Sequence, residues 1–128
     1  GVGTNDGAAG TANNADVTTM KASYAYSSFT LSYSNTEAEH DASGNTDEEI
    51  SSWNIAYTVS DELSVSYGSE ELSVGGTTVD AEYSAVVVAY TSGGMTITGK
   101  MENADNVDNS NNANADQEFW GLTAAFAF

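Results

Sequence analysis

The sequence predicts an all-β chain, an antiparallel up-and-down transmembrane β-barrel, on three observations. Stretches of about ten residues alternate apolar and polar side chains with a period of two. The connections between them alternate strictly between short and long, which is the pattern of successive hairpins with tight turns on one side and loops on the other. Nearly every carboxylate falls in or beside a long connection, Asp61 and Glu62 being the exceptions.

Bulk composition leaves room for this fold and closes off others. The chain has 128 residues, 12 Gly, no Pro and no Cys, so long uninterrupted strands are allowed and disulfide or thiolate-metal frameworks are excluded. No run reaches the eighteen or so apolar residues of a spanning helix, and the mean hydropathy of -0.32 would class the chain as soluble. Barrels escape that test because polar lumen residues dilute the signal. The net charge of -17, with 19 carboxylates against Lys21 and Lys100, argues against nucleic acid as a partner. Gly1 opens the chain without a basic or apolar leader, which reads as a processed chain or a fragment.

Along the chain, residues 1–15 carry no periodicity and read as an outer loop, and seven strands are expected over 16–128, in one domain spanning 1–128. Val17 to Tyr26 places Met20, Ala22, Tyr24 and Tyr26 on one face. Ser27-Ser28 turns it into Phe29, Leu31 and Tyr33. After a long polar segment, Asn35 to Glu49, the pattern recurs with Trp53, Ile55, Tyr57 and Val59, a turn at Ser60 to Glu62, then Leu63, Val65 and Tyr67. Beyond Gly75-Gly76, Val86, Val88 and Tyr90 share a face, although Tyr83, Ala85, Val87 and Ala89 make the other face apolar too. Thr91 to Gly94 turns the chain into Met95, Ile97, Gly99 and Met101. Asn103 to Asp116 is a third long loop, dense in Asn and Asp. The last stretch alternates Trp120, Leu122, Ala124, Phe126 and Phe128 against smaller residues.

The polar faces of these strands are Ser, Thr, Ala, Asn and Gly, small and uncharged. A sandwich exposes a face rich in Lys and Glu and has irregular turn lengths, so a water-filled lumen suits these faces better. Lys21, Lys100, Asn54 and Thr98 fall on this register and are the pore-lining candidates; a lysine there would act on permeating ions. Aromatic residues, apart from Tyr83 and Phe119, take the opposite register towards strand ends. Tyr24, Tyr26, Tyr33, Trp53, Tyr57, Tyr67, Tyr90, Trp120, Phe126 and Phe128 are the expected membrane girdle, since amphipathic rings suit headgroup depth. Asp105, Asp108 and Asp116 offer oxygen ligands for Ca²⁺. They lack the ordered spacing of an EF-hand loop, and that segment reads as a solvated acidic loop. His40 stands alone in a loop and reads as solvated. No nucleophile–base pair or phosphate-cradling loop is present, so the chain is not expected to be an enzyme.

With Phe128 on the periplasmic side, the short turns face the periplasm and the acidic loops face outward. Seven strands cannot close, because an open edge in lipid leaves unpaired backbone groups, and the expectation is the C-terminal part of a longer barrel. Through its alternating hairpins, Asn/Asp/Gly-rich loops and ending Phe119-Trp120-Gly121-Leu122 to Phe126-Ala127-Phe128, the chain resembles the C-terminal portion of a Gram-negative general diffusion porin of alphaproteobacterial or marine type.

The resemblance implies a sixteen-strand, homotrimeric outer-membrane pore for passive diffusion of ions and small hydrophilic solutes. It implies contact with outer-membrane lipid and lipopolysaccharide, no cofactor beyond Ca²⁺ or Mg²⁺ at the outer acidic loops, and an inward-folded constriction loop lying outside this chain. The chain departs from the family in its scarcity of basic residues. Two alternatives stand beside it: a secreted or surface acidic β-protein that binds Ca²⁺ or a partner, and an outer-membrane barrel that does not conduct.

Overall fold

With no proline to interrupt a ladder and with Val, Ile, Thr, Tyr and Trp concentrated in alternating runs, the chain folds almost entirely as strand. The computed structural model describes residues 1–5, 15–40, 46–112 and 115–127. They form β1 (Val2–Asn5), β2 (Ala15–Tyr26), β3 (Phe29–His40), β4 (Glu48–Thr58), β5 (Leu63–Val74), β6 (Ala81–Ser92), β7 (Met95–Asp105) and β8 (Gln117–Phe126), with one 3-10 turn at Val107–Asn109. The strands make a single sheet in sequence order, each antiparallel to the next.

Two expectations are corrected here. The sheet has eight strands and not seven, because Val2–Asn5, expected as part of an outer loop, pairs with Val17–Met20. Its sequence, Val-Gly-Thr-Asn, has no apolar face to announce it; what holds it is the ladder, continued by Lys21 N–H donating to Gly1 O at 2.8 Å. Residues 6–14 lie outside the described residues. The strands also run further into the acidic segments than periodicity suggests, since β3 continues through His40 and β4 begins at Glu48. Cross-strand polar pairs support these ends: Thr19 and Thr36 share a hydroxyl hydrogen bond at 3.1 Å, and Asn35 Nδ2 donates to Glu49 Oε1 at 2.7 Å. An even strand count removes the oddness that spoke against closure, yet β1 and β8 remain separate edges of an open sheet.

Turn chemistry fixes the register on the short side. Gly93 and Gly94 both have positive φ, 57° and 82°, the requirement of a two-residue turn whose twist matches the strands. Ser27 takes φ 54° in the equivalent first hairpin. In the middle turn the Ser60 side chain stands in for a backbone acceptor, receiving Glu62 N–H at 3.3 Å and Leu63 N–H at 3.2 Å. A Cβ at Gly94 would lie 2.9 Å from Ala127 O, in addition to the cost of left-handed backbone. Gly94→Ala is therefore expected to lower stability by about 1–3 kcal/mol, read as a shift of the denaturant midpoint; an unchanged midpoint would mean that this turn does not pin the β7–β8 end.

The core is inverted relative to a soluble sheet. Only Ala81 and Ala115 are buried among the described residues, whereas aromatic and aliphatic side chains are exposed along one face. Paired residues across a sheet share a face, and one such row runs Tyr24, Leu31, Ile55, Tyr67, Val86, Met101, Trp120, apolar on every strand from β2 to β8. The adjacent row on the other face runs Ser23, Ser32, Asn54, Gly68, Ala85, Glu102, Phe119. The sheet curves so that this second face is concave.

Candidate functional site

The concave face encloses a trough of about 1010 Å³, to which every strand from β2 to β8 contributes. Its hydroxyl and amide groups come from Ser23, Ser32, Ser34, Ser52, Asn54, Ser66 and Gln117, set among Gly68, Ala85, Val87 and the rings of Tyr83 and Phe119. The period-two pattern produces this directly, because each serine or threonine alternates with an apolar residue that the same backbone sends to the convex side. None of the polar-face side chains between the two rims is buried. An eight-stranded barrel fills its interior with side chains; here they stand in an open, solvated trough.

Of the four pore-lining candidates, Lys21 and Asn54 border the trough, while Lys100 and Thr98 share its face nearer the short turns. Asn54 Nδ2 donates to Tyr67 O at 3.2 Å, and its amide occupies the space that a side chain at Gly68 would need. Lys100 is not a free cation, since its Nζ lies 2.6 Å from Glu102 Oε1 on the same strand and face. Glu70 and Glu102, two of the acidic residues that border the trough, were not among the candidates. Parity could have found both: Glu70 continues the face of Ser64, Ser66 and Gly68, and Glu102 that of Thr98 and Lys100.

The girdle residues Tyr24, Tyr26, Tyr33, Trp53, Tyr57, Tyr67, Tyr90, Trp120 and Phe126 all emerge on the convex side, 38% to 77% exposed; Phe128 lies outside the described residues. They are organised by pairing, Phe29 stacking on Tyr57 with centroids 4.4 Å apart and Trp53 meeting Tyr67 edge-on at 5.3 Å.

Towards the long loops the two faces exchange character. The convex row beyond the aromatics reads Met20, Asn35, Ser51, Glu71, Glu82, Asp105, while the concave row reads Thr36, Ile50, Leu72, Ala81. The apolar concave end is covered by the loop after β7, which was not expected to fold inward. Asn109 Nδ2 donates to Leu72 O at 2.8 Å and Val79 O at 3.2 Å, and Asn106 Nδ2 to Asp80 O at 3.2 Å. These bonds draw the β7–β8 loop back over β6 to β5, leaving Ala81 fully buried.

Asp105, Asp108 and Asp116 are dispersed by this arrangement. Asp105 ends β7, Asp108 sits in the 3-10 turn, and Asp116 Oδ1 accepts the Asn106 N–H at 3.2 Å. Among the described residues no three acidic or imidazole side chains converge as a metal site. His40, expected to be solvated, ends β3 half-buried; its N–H donates to Asp47 Oδ1 at 2.8 Å while Nδ1 is shielded without a partner. No known family profile, curated protein or solved structure matches this chain.

Proposed function

We propose that this sheet is part of the wall of an outer-membrane porin, a water-filled channel for passive diffusion of ions and small hydrophilic solutes in a Gram-negative cell. The observation that carries the reading is the double reversal of polarity. Over the middle of the strands the outside is apolar and the inside polar, and beyond the aromatics towards the long loops the outside turns acidic and the inside apolar. A soluble sheet has no use for such a switch along one strand. A wall that leaves lipid for water does, because the solvent outside changes at that height.

Strand length agrees. Seven strands have ten to twelve residues, enough to cross a bilayer at the tilt of a barrel. The solvated trough and the two unpaired edges support a wall wider than eight strands. In lipid each edge must be satisfied, and we infer that further strands complete a sixteen-strand barrel of which this chain forms the C-terminal portion. A homotrimer follows from the resemblance to porins. The acidic convex rim lies at the height of lipopolysaccharide phosphates and would repel them unless Ca²⁺ or Mg²⁺ lies between.

The test is reconstitution of the full-length protein in a planar bilayer. The expected result is stepwise, ohmic conductance in KCl. Protein that inserts and resists extraction yet passes no current would identify a non-conducting barrel, and protein that stays soluble and monodisperse without detergent would identify an acidic soluble β-protein.

A further inference from the structure

Two aromatic residues do not follow the rule that rings face outward. Tyr83 and Phe119 stand on the concave, polar face and border the trough, and Phe119 is 60% exposed there. Exposed rings on a wall of serine and asparagine contribute nothing to a membrane girdle. Each has a carboxylate directly across the ladder: Glu70 opposes Tyr83, and Glu102 opposes Phe119. The four lie on consecutive strands β5, β6, β7 and β8 of one trough, as two acid–ring pairs in neighbouring rows: Tyr83 pairs onward with Ala104, and Glu102 and Phe119 lie two residues along from that row.

We propose that this strip is a binding subsite for an organic ammonium ion, a solute with a positively charged nitrogen carrying methyl or methylene groups. The proposal rests on the pore-wall reading for its physiological sense, and on the strip alone for its chemistry. Carboxylates supply charge, and the negative faces of the rings attract a weakly hydrated cation that an inorganic ion cannot match without losing its water. Opposed residues have Cβ atoms about 5 Å apart, so a small ammonium group reaches a ring and an acid together.

The Phe119 ring leans across Gly121, where an added Cβ would meet it at 3.3 Å; the missing side chain lets the ring lie along the wall. Glu102 already holds one ammonium, that of Lys100 at 2.6 Å. Glu70 has no ion pair among the described residues, which makes the Glu70–Tyr83 pair the primary site; Phe119 belongs with Glu102 to a second pair, two strands and two residues away from Tyr83. The acidic rim at the mouth raises the local concentration of such solutes before they enter.

The experiment is calorimetric titration of the full-length, detergent-solubilised protein with choline at low ionic strength, beside 3,3-dimethylbutan-1-ol, the uncharged isostere, and beside K⁺. Saturable choline binding is expected, at least about fivefold tighter than either comparison compound. Glu70→Gln and Tyr83→Leu, each verified as folded by its resistance to detergent denaturation, are both expected to weaken it by a similar factor; the leucine keeps an apolar side chain in place and removes the π-face. Choline binding no better than its isostere, or unchanged in both variants, overturns the proposal. KCl conductance measured on the same preparation keeps the two readings apart. Current without choline binding removes the subsite and leaves the pore, while choline binding without current removes the pore and leaves the subsite.

Discussion

If the proposed membrane wall is right, arginine placed at Val65 or Leu122 is expected to lower folding stability by about 2–4 kcal/mol, whereas arginine at Ser64 or Thr98 is expected to lower it little. The difference comes from what each side chain would meet. Val65 and Leu122 occupy one cross-strand row with Tyr57 and Val88, on the convex face and within the apolar band, where a guanidinium must be desolvated or must distort the lipid to reach water. Ser64 and Thr98 are one position from Val65 and Ile97 along their own strands, yet the period of two sends them to the opposite, concave face, where an arginine stays hydrated.

A one-residue step thus changes the cost from near nothing to a large share of ordinary domain stability. The measurement is a urea folding titration in phospholipid vesicles for all four variants. The reverse ranking would show that the faces are assigned backwards, and four equally small costs would show that neither face meets lipid.

How much of this was legible in the sequence depends on what each residue answers to. The seven long strands and their two faces could be read because the backbone sends successive side chains to opposite sides, and the sequence keeps one side apolar and the other polar. Tyr24, Trp53, Tyr57 and Trp120 therefore lie on the convex face they were assigned to. Strand β1 could not be read, because Val2–Asn5 is held by backbone bonds to β2 and not by side-chain pattern.

The loop-side ends of β3 and β4 were hidden for a related reason: beyond the aromatics the faces exchange polarity, so Glu37, Glu49 and Ile50 look like the end of a strand although the pairing continues through them. The inward fold of the β7–β8 loop depends on Asn109 reaching Leu72 O and Val79 O across 37 and 30 positions of chain. An asparagine-rich loop gives no sign of such a contact. The pairing of Lys100 with Glu102 was legible, since residues two apart on a strand share a face and both fall on the polar register of β7 ahead of the loop expected from Asn103.

That pairing bears on what the pore prefers. At low salt the channel is expected to favour cations, and in concentrated salt the preference is expected to fade. Two parts of the wall set it. At the mouth, Glu71, Glu82 and Asp105 sit in adjacent positions of one row, within a chain of net charge -17, and their field reaches into the entrance over a Debye length, about 10 Å at 0.1 M and about 3 Å at 1 M. In the trough, Lys100 is cancelled locally by Glu102 at 2.6 Å, which leaves Lys21, three strands from Glu70 in the same cross-strand row.

One lysine of the wall is thus left against the carboxylates of the mouth, and the acidic mouth decides. The reversal potential of the full-length pore under a KCl gradient tests this at both salt levels. Glu102→Gln is the informative variant, because it removes a negative charge and also frees Lys100, and it should move the reversal potential towards anions by more than Glu82→Gln at the rim does when both are measured in 1 M salt, where only charges close to the permeating ion remain unscreened. If both variants leave the potential where it was, or if the unmodified pore prefers anions in dilute salt, permeation is governed by strands outside this sheet and the loop charges serve the membrane surface alone.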